Sequence, residues 1–226
     1  MNESPNAMVM RCMRPELGAL PQYLRHLPLD DRGYPVPWFV AWVDGKPEFR
    51  AADVRKYQRA VKERLCWVCG MKLGRKLVFV IGPMCGINRV SSEPPSHEQC
   101  ARWSAQNCPF LNFREKRRRE NNLPEGTEEP AGISITRNPG VTLLWHTNAY
   151  ELFPDGMGKQ LIRIGEARYT EWFSRGRPAT RAEVMHSIET GLPALEGLAT
   201  TPAEKRALNE QMAEFYYSVE LPPEPS

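Results

Sequence analysis

Residues 66–70 read CWVCG and residues 97–100 read HEQC. The first stretch brings Cys66 and Cys69 to one point, because a Cys-x2-Cys turn lets both thiolates face a common centre, and Gly70 lets the backbone turn behind them. The second opens a helix. Ser96, His97, Glu98 and Gln99 have the form of a capping box, with Ser96 as N-cap and a helix expected from His97 to about Asn107. Three residues along such a helix is about 4.5 Å, so His97 and Cys100 share a face. One imidazole and three thiols are a donor set suited to a tetrahedral Zn2+ ion.

Outward from these stretches the chain alternates short strands and helices. Trp38 to Val43 is aromatic and β-branched, Asp44-Gly45 is a hairpin turn, and PEFRA returns as a second strand. Asp53 caps a helix expected from Val54 to Leu65, and KLVFVIG is a clear strand. Gly82 to Gly86 reads as a tight loop near the metal. Later strands are ISITRN, VTLLWHT, ELF and QLIRIGEARYTEWF. Capping boxes at Thr180 and Thr201 open two helices, the first of which Gly191 is expected to close. The fold class is α+β, not a doubly wound nucleotide fold.

Knuckle, hairpin and helix start resemble the treble-clef zinc modules over roughly Cys66 to Cys108. The resemblance implies the ligand set Cys66, Cys69, His97 and Cys100. Treble clefs often use two cysteines on the helix, so Cys85 stands as an alternative ligand to His97. Cys108 lies about 12 Å further along the helix than Cys100 and is out of reach. The wider sequence, GPMCGINRVSSEPPSHEQC and GRPATRAEV, is similar to proteins of bacterial and phage genomes without an assigned activity, which supplies context and no mechanism.

The expected organisation is an N-terminal α+β region, 1–120, holding the zinc module (61–112) and a basic segment (113–120). A linker from Leu123 to Gly132 and a second α+β lobe, 133–220, follow. Charge is uneven: +2 over residues 1–60, +7 over 61–120 and −6 over 121–226, within a net +3. A basic block points to an anionic partner. Its densest run is Arg114, Lys116, Arg117, Arg118 and Arg119, expected to contact DNA or RNA, and Arg175, Arg177 and Arg181 form a second anion patch at a helix start. A protein-interaction module, such as a phage or accessory factor binding a host protein, is the alternative.

A site with four protein ligands is closed, which points away from an enzyme. A metal-dependent hydrolase or nuclease would need one position open, with Glu98 beside it. Nucleobase deaminases require an H-x-E that is absent, and HNH-type nucleases need more histidine than His26, His97, His146 and His186 supply. No phosphate-loop, nucleophile-elbow or HExxH motif occurs. His146 after VTLLW reads as a hydrogen-bonded, half-buried histidine, and Asp30-Asp31 as turn-forming acids. The start MNESPNAMVMRCMRPEL lacks a continuous apolar run and no segment approaches a membrane span, so the expectation is a cytoplasmic protein with reduced thiols.

Overall fold

In the computed structural model, residues 13–14, 16–17, 19–112 and 139–224 are described. The linker, the ISITRN stretch, Cys12 and the 114–119 basic run lie outside the described residues. Strands β1 (Val40–Val43) and β2 (Lys46–Ala52) form an antiparallel hairpin. Its turn residues Asp44 and Gly45 both take positive φ, 49° and 73°, the backbone that a tight two-residue hairpin requires. Helix α1 (Val54–Glu63) starts where the Asp53 carboxylate accepts the N–H groups of Arg55 and Lys56.

Strand β3 (Leu77–Ile81) is followed by α2 (Pro83–Asn88), β4 (Val90–Ser91), α3 (Glu98–Asn107) and the short α4 (Pro109–Asn112). The stretch read as a tight loop near the metal is therefore a helical turn. Pro83 at its first position has no N–H to lose, and Met84 and Ile87 are drawn into the apolar core. Strands β5 (Thr142–Thr147), β6 (Tyr150–Pro154), β7 (Gln160–Ile164), β8 (Tyr169–Ser174) and β9 (Arg177–Pro178) precede α5 (Arg181–Glu196) and α6 (Pro202–Ser218).

The sheet that organises the molecule has the order β3-β5-β8-β9, with antiparallel pairs throughout. Strand β3 pairs with β5 over its whole length, from Leu77 opposite Thr147 to Ile81 opposite Leu143. Strands from both sides of the 121–132 segment thus share one sheet, which the expected separation into two lobes does not describe. A smaller sheet, β4-β7-β6, joins the halves a second time.

Side chains on β3 and β5 alternate between two helical layers. Phe79, Ile81, Leu143 and Trp145 face the core built with α2, α5 and α6, where Val184, Ile188, Leu208 and Phe215 are buried. Val78 and Leu144 face α3 and meet Ala101 and Ala105. All six residues of β5 are buried, as befits a central strand covered on both faces.

Helix α5 keeps the Thr180 capping box but runs on through Gly191 and Pro193 to Glu196. Leu192 and Leu195 pack into the main core, and that burial carries the helix past residues that would stop an isolated one. The mixed α+β class expected from the sequence holds: the described residues contain six α-helices and three small sheets.

Candidate metal centre

The knuckle is built by backbone hydrogen bonds before any ligand is considered. The Cys66 N–H donates to Met71 O at 2.8 Å and the Gly70 N–H to Cys66 O at 2.8 Å, while Leu65 bridges Lys72. Gly70 has φ 73°, and a Cβ there would stand 2.6 Å from Cγ of the Trp38 ring, so no other residue fits without displacing the indole. Ser96 exchanges two backbone hydrogen bonds with Val78, at 3.0 and 2.8 Å, and the Trp67 N–H reaches Pro95 O at 3.1 Å. These ties fix the start of α3 against the knuckle. They also engage Ser96 in the sheet, so the N-cap of α3 is His97, without a side-chain cap, and not Ser96 as the capping-box pattern suggests. Cys100 then sits in the first turn of α3.

Cys66, Cys69, His97 and Cys100 offer ligand atoms that all lie within 4.8 Å of one another. Cys69 Sγ is 3.3 Å and Cys100 Sγ 4.0 Å from His97 Nδ1. Bonds of about 2.0–2.3 Å to a tetrahedral ion would put neighbouring donors roughly 3.3–3.8 Å apart, which this cluster approaches. The cluster could hold a metal ion.

Surrounding groups orient the donors. His97 Nε2 lies 3.0 Å from Lys72 O, and because a carbonyl only accepts, an Nε2 proton points there, which turns Nδ1 toward the sulfurs as the atom that would ligate once deprotonated. Tyr23 stacks on the His97 ring at 4.4 Å, and the Cys69 carbonyl accepts from His26 Nε2 at 3.0 Å. The three sulfurs are buried with Leu24, Leu27, Val68, Leu73 and Leu77.

Electrostatics within the cluster favour a cation. Burial raises the Cys66 thiol, but contacts from Cys100, Cys69 and His97 outweigh it and hold the group well below the ordinary thiol value. Contacts with Cys66 and Cys69 push Cys100 up, with burial adding to them. Burial works against a charged His97, yet the sulfurs of Cys66 and Cys69 push it up to about 10. Three sulfurs this close and this buried cannot all become thiolates unless positive charge sits among them.

Cys85 does not belong to the cluster. It lies on α2, packs against the main core, and burial pushes its thiol up to about 11. Cys108 caps the far end of α3. The Glu98 carboxylate forms an ion pair with Arg102 at 2.6 Å, which engages the acid that a hydrolytic reading would use. His146 is buried, donates its Nε2 proton to Glu171 Oε1 at 2.7 Å and stacks on Tyr169, in keeping with a structural histidine. His186 is exposed, and Asp30 accepts the N–H groups of Arg32 and Tyr34 as a turn-forming acid.

The second anion patch is largely met by the chain's own carboxylates. Arg177 pairs with Glu183 at 2.9 Å and Arg181 with Glu224 at 3.2 Å, while Arg175 occupies a turn at φ 52°. Sequence reasoning did not single out a different basic surface. Arg64, Arg75, Lys76, Asn148 and Arg168 line a concavity of about 830 Å³ that begins at Leu73, a neighbour of the cysteines in the apolar packing. Arg75 and Lys76 were legible as part of the basic block. Arg168 was not, because only the β5–β8 pairing brings it there.

Comparison with protein-family models, with curated proteins and with solved structures found no match to this chain.

Proposed function

We propose that the cluster holds one Zn2+ ion in a structural role, and that the chain is a zinc-stabilised binding protein contacting nucleic acid through the basic 61–120 block. The observation that carries this reading is the donor set itself: three thiols and an imidazole converge within 4.8 Å in an apolar surround. Thiolate-rich tetrahedral sites suit zinc, and four protein ligands leave no position for a reacting water. The treble-clef likeness of Cys66 to Cys108 agrees with such a role. The charge of +7 over residues 61–120 supplies the attraction to a polyanion. Thiolate ligation needs reduced cysteines, which suits the cytoplasm, and among the described residues no helix is long and apolar enough to cross a membrane.

Elemental analysis of protein purified without chelator tests the first part, with one zinc per chain expected and none overturning it. Titration of labelled DNA and RNA at about 50 and 200 mM salt tests the second, with affinity falling roughly tenfold or more if three or four phosphates are contacted. Affinity indifferent to salt would move a protein partner to first place. That second reading draws on the β1–β2 hairpin, where Trp42 and Phe49 stand 42% and 41% exposed.

A further inference from the structure

The geometry points to a binding site for phosphate groups in the concavity between the 64–76 loop and the β5–β8 end of the main sheet. In its nucleic-acid form this inference rests on the reading above and names where the backbone would sit.

Four cationic side chains converge there from separate parts of the chain. Arg64 is the left-handed residue that ends α1, with φ 54°, and its carbonyl accepts the Leu73 N–H at 2.9 Å. Its guanidinium stands 5.7 Å over the Tyr150 ring, which steadies it. Arg75 and Lys76 lead directly into β3. Arg168 precedes β8, and its N–H donates to His146 O at 2.7 Å. Asn148, just beyond β5, adds amide donors.

Among the described residues no carboxylate lines the concavity, and no ion pair with a described carboxylate engages Arg64, Arg75, Lys76 or Arg168. Several other arginines are matched, such as Arg50 with Glu48, Arg59 with Glu63, Arg102 with Glu171 and Arg177 with Glu183, and those that are not, such as Arg25 and Arg206, do not line the concavity. Bringing four like charges together costs Coulomb energy that an anion would relieve, and guanidinium forks fit phosphate oxygens in pairs. At about 830 Å³ the space exceeds what one phosphate needs and admits consecutive phosphates of a chain. No aromatic ring among the described residues lines it, so contacts run to phosphate and not to bases, and sequence preference is weak. The 64–76 arm of the site is the knuckle that carries Cys66 and Cys69, so binding depends on the metal centre.

The full-length, metal-loaded protein is titrated by fluorescence anisotropy with labelled single-stranded and duplex oligonucleotides, and by calorimetry with inorganic pyrophosphate. The variants are Arg75→Ala/Lys76→Ala/Arg168→Ala, Arg168→Gln alone, and the exposed control Arg206→Ala. The triple variant is expected to bind roughly tenfold or more weakly and to lose about two to three units of salt slope, at about 0.7 per phosphate contact on single strands and about 0.9 on duplex. Arg206→Ala should match the parent, and metal content should be unchanged in all. Should the triple variant misfold, Arg168→Gln decides, with a smaller loss in the same direction. Binding of oligonucleotide with the variant effect places a nucleic-acid backbone in the site. Binding of pyrophosphate alone with the same effect keeps the site and removes the nucleic-acid reading. Oligonucleotide binding that neither variant weakens overturns the site and leaves that reading standing, and failure of both ligands at low salt overturns both.

Discussion

The region around the knuckle and the region under α5 and α6 solve the same problem in different ways. Under α5 and α6, eighteen buried residues pack into one cluster that includes Phe79, Trp145, Trp172 and Phe215. Such burial stabilises by about 1.5–3 kcal/mol for each large side chain and needs no cross-link. The knuckle cluster has eight buried members, and three of them are the cysteines. Its five aliphatic side chains, with Leu20, Trp38, Trp103 and Tyr150 partly buried against them, make a smaller core than the one under α5 and α6, and four donor atoms converge beside it. In the proposed zinc-bound form, a cross-link by one ion would take the place of apolar bulk.

The largest test of that contrast removes a donor. Cys69→Ser should abolish stoichiometric metal and, because structural zinc contributes on the order of 10–16 kcal/mol in small modules, should unfold the knuckle. Hydrogen exchange is expected to lose protection at 65–73 and 97–105 while α5 and α6 stay protected. Uniform loss across both regions would show that the knuckle and the main core do not differ in what holds them.

Phe215→Ala attacks the other region. Phe215 is 2% exposed and contacts the Trp145 and Trp172 rings, with centroids 6.5 and 6.3 Å away. Its truncation should cost about 3–5 kcal/mol in denaturant unfolding with metal content unchanged. A variant that loses metal as well would tie the two regions together more tightly than their packing suggests.

Gly70→Ala tests the knuckle without touching a donor. The positive φ and the 2.6 Å approach to Trp38 both oppose a Cβ. A loss of about 1–3 kcal/mol and weaker metal retention against a chelator are expected. Parent-like retention would show that the indole yields and that the turn is not strained.

Glu183→Gln is the smallest effect and belongs to the self-supporting region. The Arg177 guanidinium, followed by the Thr180 backbone and Ser174 hydrogen bonds, outweighs burial and holds the Glu183 carboxyl at about 2, below its ordinary 4.5. A carboxyl lowered on folding stabilises above the unfolded value and loses that contribution as pH falls through the folded one. The variant should therefore be about 1 kcal/mol less stable at neutral pH. The gap should close as pH drops from 4.5 toward 2. A gap independent of pH would mean that the capping geometry matters and the charge does not.

Much of the site was legible before any coordinates, because spacing within a turn or a helix start is local. Cys66 with Cys69 and His97 with Cys100 are pairs that a few backbone angles decide, as are the Asp53, Thr180 and Thr201 caps and the Asp44-Gly45 turn. The misreadings all involved partners distant in sequence. Ser96 has a capping residue's form, but its backbone is engaged by Val78, so the helix begins one residue later. Gly191 and Pro193 are helix breakers that burial overrides.

What the sequence determined alone is therefore the donor set, the α+β composition, the caps and the uneven charge, each resting on interactions that close within a few residues. Tertiary structure decided the rest. It paired β3 with β5 across the 121–132 segment, drew Cys85 into the main core and matched Arg177 with Glu183. It also set Arg168 beside Arg75 and Lys76. A strand's apolar pattern says which face is buried but not which strand lies beside it, and a side chain's charge does not say which distant charge it will meet. Those choices depend on burying all the apolar faces at once.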